Sequence, residues 1–164
     1  MLFNGNNTYT VKLIHGTKTV NSMAIKKRTI NITYPAKHPV NGKTSDSVIQ
    51  SVSLSETGTE DLVTGTSTWN NDWNTGKWES YTPTSIVGYK PSTTSVPEEA
   101  VTHDTADATV NITYNPKPAK TDIVYIDEDA NNKQLGLPIT LEGHTDDSID
   151  QHCSTEWLHR LLHN

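Results

Sequence analysis

The chain has one cysteine, Cys153, so no internal disulfide and no cysteine-based zinc cluster can form. It holds one Phe and two Met, and hydrophobic residues make up only 32% of its 164 positions. No stretch approaches the ~20 consecutive apolar residues that span a bilayer. Positive charge is scant and scattered: thirteen Lys and Arg stand against nineteen Asp and Glu, a formal charge of −6. Nucleic-acid binding calls for a basic stripe or patch, and none is visible. The first residues, Met1-Leu2-Phe3-Asn4-Gly5, form neither a charged n-region nor an apolar h-region, so no signal peptide is read there. The apolar residues present are chiefly Val, Ile, Tyr and Trp, types that suit a pleated, half-buried surface. With a mean hydropathy of −0.61, these features predict a thin, mainly β fold with much solvated surface.

Alternation places the strands. Tyr9, Val11 and Leu13 alternate with Thr10 and Lys12, and Gly16 marks a turn. Ile30, Ile32 and Tyr34 alternate with Thr29, Asn31 and Thr33 until Pro35. Val48, Val52 and Leu54 share a parity that Gln50 interrupts, and Val110, Ile112 and Tyr114 form a run closed by Pro116. Period two bounded by Pro and Gly marks strands with one wet face. Thr57-Gly58-Thr59-Glu60 reads as a hairpin turn. The expected core is Val11, Leu13, Ile30, Ile32, Val52, Leu54, Val110, Ile112 and Tyr114, with Thr29, Asn31 and Thr33 wet.

Trp69 to Tyr89 is dense in aromatics and reads as a long loop or as a broken helix and strand. Pro91 to Asp107 reads as an extended surface loop. Residues 117–120, rich in Pro and Lys, read as an extended, nearly contact-free linker between domains. Thr121 to Ile126 then starts a new strand, with a turn from Asp127 to Lys133 and a partner running to Leu141. Too few residues follow to complete a second core. From Gln151 the composition changes to His, Cys, Trp and Leu, with Trp157, Leu158, Leu161 and Leu162 on one helical face. This tail is expected to be foreign to the rest, the product of a truncated or frameshifted reading.

Several blocks in register resemble the larger, C-terminal domain of the mucus-binding (Mub) repeat of lactic-acid-bacterial surface adhesins. Arg28-Thr29-Ile30-Asn31-Ile32-Thr33-Tyr34-Pro35 is similar to the family's R-x-I-x-Y-x-Y-P strand. Val48 to Asp61 is similar to its Q-x-V-x-F-x-R-x-G-x-x-D hairpin, with Leu54 in place of Phe and Ser55-Glu56 departing from the usual Arg. Val63-Thr64-Gly65, Trp73 and Ile86-Val87-Gly88-Tyr89-Lys90-Pro91 follow, and Thr109 to Tyr114 resembles the closing strand. The segment from Ile123 to about Ile149 resembles the opening of a MucBP-type domain, with Tyr125 and Asp127 in place. The expected organisation is a Mub-repeat domain over 8–116, a linker over 117–120, an incomplete MucBP-like start over 121–150 and an atypical tail over 151–164. The resemblance implies a β-grasp (ubiquitin-like) fold; strand count alone equally permits an immunoglobulin-like β-sandwich.

A catalytic site would need Ser, His and Asp convergence, or Cys with His. Cys153 near His152 and His159 lies in the atypical tail, so no catalytic residue is expected. Asp127-Glu128-Asp129-Ala130-Asn131-Asn132 offers hard oxygen ligands, but Asn132 and Pro138 stand where a calcium loop needs Gly and Glu. A polar hairpin turn is the better reading, and neither metal nor cofactor is expected. His15, His38, His103 and His144 are isolated, and each reads as a surface or turn residue.

Tryptophans can stack on sugar rings beside polar neighbours. Trp73 matches the family pattern and reads as a packing anchor. Trp69 and Trp78, with Tyr81, Asn70 and Asn71, are the candidate ligand-binding residues. The family resemblance implies a non-catalytic adhesive module binding mucin glycans or other host glycoproteins, a monomer repeated in tandem within a longer parent, with no nucleic-acid partner and no membrane insertion. The alternative is a spacer repeat without its own ligand. A glycan-active enzyme would need a carboxylate pair framing a cleft. Cell-surface location follows from the resemblance alone; without a signal peptide or L-P-x-T-G motif, the chain reads as an excised piece or a cytoplasmic product.

Overall fold

The computed structural model describes residues 8–149. The atypical tail from Gln151 lies outside them. Twelve strands and no helix occur among the described residues: β1 (Thr17–Thr33), β2 (Ser45–Asp61), β3 (Ser67–Trp69), β4 (Gly76–Trp78), β5 (Tyr89–Pro91), β6 (Glu99–Val101), β7 (Ala108–Ile112), β8 (Tyr114–Pro116), β9 (Pro118–Ile123), β10 (Ile126–Asp127), β11 (Lys133–Gln134) and β12 (Ile139–His144). One four-stranded sheet has the order β3-β2-β1-β7, and four two-stranded ribbons complete the inventory. An immunoglobulin sandwich needs two packed multistranded sheets, which these strands do not supply.

Two compact units divide the chain. The first takes the described residues through Thr29, then Ile49–Ser80 and Pro97–Thr109; the second takes Ile30–Val48, Tyr81–Val96 and the described residues from Val110. In the first unit Leu54, Trp78 and Val101 form the core, with Val52, Trp73 and Ala108 packed against it. Here β4 pairs antiparallel with β6, Trp78 opposite Glu99. In the second unit Ile30, Ile32, Tyr34, Ile86, Val96, Ile112 and Tyr114 form the core. The alternation around Pro35 and Pro116 thus places its residues as expected: Ile30, Ile32, Leu54, Ile112 and Tyr114 are buried, while Asn31 and Thr33 are exposed and Thr29 is half-buried. Val52 and Val110 are half-buried. Tyr114 donates its hydroxyl to the Thr84 carbonyl at 2.6 Å, which satisfies the polar end of a buried ring.

Several expectations are corrected. Tyr9 to Leu13 is not a strand; Val11 and Leu13 are 78% and 85% exposed. Alternation there lacks a partner strand, and alternation without pairing has no face to bury. Thr57 to Glu60 is not a turn but the last part of β2, Gly58 standing opposite Trp69 on β3. The Gly58 position is required by close approach, because a Cβ there would lie 2.6 Å from Trp69 Cε3 and 2.8 Å from the Thr68 carbonyl oxygen. The reversal comes after Asp61, whose Oδ1 accepts from Val63 and Thr64 N–H at 2.8 and 3.1 Å. Gly65, at φ 69°, closes it. Pro91 to Asp107 is not merely a surface loop, since it contributes buried Val96 and Val101.

The stretch 117–120 is not contact-free. Lys117 N–H donates to the Gly88 carbonyl at 2.8 Å, and Thr145 N–H donates to the Lys117 carbonyl at 2.9 Å. Pro118 to Lys120 already belong to β9, which pairs with β12 from Pro118 opposite His144 to Ile123 opposite Ile139. Thr145 Oγ1 also donates to the Gly88 carbonyl at 2.7 Å. Gly88, at φ 78°, has no Cβ to meet Thr145 Cγ2, which would stand 2.5 Å away. Asp146 fixes the same end: its Oδ2 accepts from Tyr89 Oη at 2.8 Å and meets His38 Nε2 at 2.9 Å, and its carbonyl accepts from Lys37 Nζ at 2.9 Å. The Tyr89 hydrogen bond, then His38, holds the Asp146 carboxyl below its ordinary pKa. Asp127 to Lys133 is a turn, with Asn131 and Asn132 in the left-handed region at φ 58° and 59° and Asp127 Oδ1 accepting from Asp129 and Ala130 N–H.

Candidate functional site

The site lies in the first unit and begins with the edge of β2. Past Gly58 the partner strand β3 ends at Trp69, and the chain continues as Asn70-Asn71-Asp72-Trp73-Asn74-Thr75. Side chains then take over the ladder. Asn70 N–H donates to the Thr57 carbonyl at 3.0 Å, and its Nδ2 donates to Thr57 Oγ1 at 2.9 Å. Thr57 N–H donates to Asp72 Oδ1 at 2.8 Å, and Thr57 Oγ1 donates to Asp72 Oδ2 at 2.6 Å. Ser55 N–H donates to Asn74 Oδ1 at 2.8 Å, and Asn74 N–H donates to the Ser55 carbonyl at 3.1 Å. Carboxylate and amide oxygens thus accept the N–H groups that a neighbouring strand's carbonyls would take. The two Thr57 bonds, side chain first, lower the Asp72 pKa.

Residues 70, 72 and 74 therefore fasten the segment to β2, while Asn71 and Trp73 line an open groove. Asn71 takes the left-handed conformation, φ 55°, that lets the chain step between these roles. The groove measures about 680 Å³ and is lined by Ser22, Glu56, Asn71, Trp73, Asn74, Thr75 and the turn Thr102-His103-Asp104. That turn is held by Thr102 N–H donating to Thr105 Oγ1 at 2.9 Å. His103 stacks on Trp73, ring centroids 4.2 Å apart at 20°, and its Nδ1 lies 3.5 Å from Asp104 Oδ1. Glu56 is the unusual member. It shares the inward parity of Leu54, is only 8% exposed, and its buried Oε2 has no hydrogen-bond partner.

The structure sorts the expected ligand-binding residues. Trp69, 38% exposed, and Asn70 precede Asn71 in the chain, and of the three only Asn71 lines the groove. Trp78 is corrected: it is 1% exposed and cannot present a face to a ligand. Arg28 covers that ring, its Cζ 5.5 Å from the centroid. Tyr81 belongs to the second unit, half-buried against that core and bridged to Val96. Trp73 does pack against the core, as expected, but it also lines the groove. His103, read as an isolated surface residue, supplies the second aromatic ring. Glu56 went unassigned, although the departure at Ser55-Glu56 from the family pattern falls there. Among the described residues no group of three or more His, Cys, Asp or Glu is gathered as metal ligands, and no helix is long and apolar enough to cross a membrane.

Ribbon pairing and sheet order define a mainly β domain, and comparison with known proteins places it further. The family model of Muc B2-like domains matches residues 17–118, and the chain belongs to that family as a Mub-type repeat. The mucin-binding domain of Spr1345 from Streptococcus pneumoniae is 30% identical with a TM-score of 0.51, the match covering 61% of this chain and 97% of that one. A MucBP domain of LBA1460 from Lactobacillus acidophilus is 20% identical with a TM-score of 0.53, over 62% of this chain and all of the other. The type 2 repeat of the mucus binding protein MUB from Lactobacillus reuteri is 21% identical with a TM-score of 0.48, over 63% and 60%. No curated protein sequence matches. The fold is mainly β, of the β-grasp-like kind expected for these domains.

Proposed function

We propose that this chain is a non-catalytic adhesive module of a cell-surface protein, binding glycans of mucin or other host glycoproteins through the first-unit groove. The observation that carries the reading is the groove's composition: a stacked aromatic pair, Trp73 and His103, beside amides at Asn71 and Asn74 and a carboxylate at Glu56. Aromatic faces offer apolar contact to sugar C–H groups, and amides and carboxylates fix hydroxyl orientation. The clamp on β2 holds this set in place before a ligand arrives, which lowers the ordering cost of binding. Trp69 and Asn70, next to Asn71 in the chain, are the further candidates for contact. A single open site of this size gives weak affinity, and tandem copies in a longer parent would supply avidity. Residues 8–116 form the adhesive repeat in this reading, and 121–150 open a MucBP-like neighbour.

The spacer reading has one observation in its favour: β1 and β2 are each 17 residues long, well beyond the roughly 3–10 residues usual for strands. Binding of the full chain to immobilised mucin separates the two. Adhesion requires saturable binding that falls when the mucin's sugar diols are cleaved by periodate. Binding equal to that on a glycan-free surface would leave the spacer.

A further inference from the structure

The groove is not neutral in its preferences, and its electrostatics narrow the ligand. Among its nine lining residues two are acidic, Glu56 and Asp104, and none is Lys or Arg. A terminal sialic acid or sulfated sugar would bring a carboxylate or sulfate to a place with no fixed cation, in a chain of net charge −6. Glu56 adds a positive preference. Glu56 is only 8% exposed and its Oε2 has no hydrogen-bond partner among the protein's own groups, and a buried carboxylate is costly unless partners complete it. A carboxylate oxygen accepts, so a fitting partner brings O–H or N–H.

We infer that the groove is a subsite for an uncharged pyranose, its apolar face resting against the Trp73–His103 pair and a hydroxyl donating to the Glu56 carboxylate. The inference rests on the adhesive reading above and sharpens it: the module selects neutral over anionic sugars. Asn71 and Asn74 border the same space, and each side-chain amide has donor and acceptor atoms that suit hydroxyl groups. Asn74 Oδ1 is already occupied by Ser55 N–H, which leaves its NH₂ to donate to a ring or hydroxyl oxygen. Asp104, its side chain 97% exposed at the rim, keeps the entrance negative. A cationic amine would also meet the demand of Glu56 and is the competing ligand.

The test uses the full chain, with resonances of Trp73 Nε1–H and the amides of 71–75 and 102–104 followed by NMR. Three probes are added separately: methyl β-galactoside, N-acetylneuraminic acid and lysine methyl ester. The galactoside is expected to shift these signals saturably with a Kd on the order of 1 mM, about −4 kcal/mol, and the sialic acid to be at least about tenfold weaker. Glu56→Leu is the decisive variant, because Leu continues the inward parity of Leu54. It should fold at least as stably as the parent, its midpoint in urea unchanged or raised, while galactoside affinity falls about tenfold or more. Shifts with sialic acid equal to those with the galactoside, or saturable shifts with the lysine ester alone, would overturn the inference. So would undiminished galactoside binding by Glu56→Leu. If mucin binding persists while this groove stays silent to every probe, the subsite falls and the adhesive role stands. Loss of both would remove the adhesive role as well.

Discussion

Replacement of Arg28 by Met tests how the first unit is held together. The guanidinium is 2% exposed and uses its whole fork: Nε donates to Gln50 Oε1 at 3.0 Å, Nη1 to the Pro97 carbonyl at 2.9 Å and Nη2 to the Glu79 carbonyl at 2.7 Å. Glu99 Oε2 is 3.7 Å from Nη1 but half-exposed, so it adds little. Met fills the space of the aliphatic stem, which keeps the cavity small. The Glu79 carbonyl retains the Gln50 Nε2 donor at 2.8 Å, so the chief orphan is the Pro97 carbonyl. An orphaned acceptor costs about 1–3 kcal/mol, and a desolvated cation over Trp78 is worth about 2 kcal/mol. Relief from burying a charge offsets part of this sum. A net loss of about 3 kcal/mol follows, a large share of the 5–15 kcal/mol typical of a domain. Three of the four tryptophans, Trp69, Trp73 and Trp78, lie in the first unit, so with Trp157 replaced by Phe tryptophan fluorescence in urea reports its unfolding. The midpoint should fall with the slope unchanged, and Arg28→Lys should fall between. A loss under about 1 kcal/mol, or a gain, would mean that burying the charge costs more than its hydrogen bonds return.

Gly58→Ala should cost about 1–3 kcal/mol, because the new Cβ meets the Trp69 ring and a backbone oxygen; an unchanged urea midpoint would refute the close packing of β2 on β3. The attachment of Thr145 and Lys117 should depend on the Asp146 carboxylate. Its pKa is depressed by Tyr89 and His38, so the contribution is complete above the ordinary Asp range and is lost as pH falls through the depressed value. Hydrogen-exchange protection of the Thr145 amide should therefore hold from neutral pH to about pH 5 and drop in stronger acid. Asp146→Asn should abolish that pH dependence, and a persistent dependence would place the titrating group elsewhere. Val11→Ser and Leu13→Ser should each change stability by no more than about 0.5 kcal/mol, since both side chains are in water; a larger loss would return them to a core.

How much of this was legible before the structure depended on what each residue answered to. Ile30, Ile32, Leu54 and Ile112 answer to period two and were found. Gln50 broke that period for a reason alternation cannot express: it sits inward to hold Arg28 and the Glu79 carbonyl. Tyr9 to Leu13 shows the reverse error, because a pattern can be present without a strand beside it to bury its face. Gly58 resembles a turn glycine in sequence, yet it is a strand glycine beneath Trp69, a distinction made by a residue eleven positions away. The site was half visible. Aromatic density around Trp73 and the neighbouring amides could be read, but His103 comes from a turn thirty residues on. Glu56 carried a signal in its parity with Leu54, since a carboxylate due to face inward needs a partner. Trp78 could not be separated from Trp69 by composition; the difference is Arg28 lying over one ring and not the other.

The most direct measurement maps where mucin glycans touch the chain. Adding a soluble O-glycosylated mucin fragment to the labelled full chain should broaden the resonances of Asn71, Trp73, Thr102 and His103 ahead of all others, and removal of its O-glycans should abolish the effect. Broadening centred on residues outside this groove, or equal broadening by the deglycosylated fragment, would contradict a glycan site at Trp73 and His103.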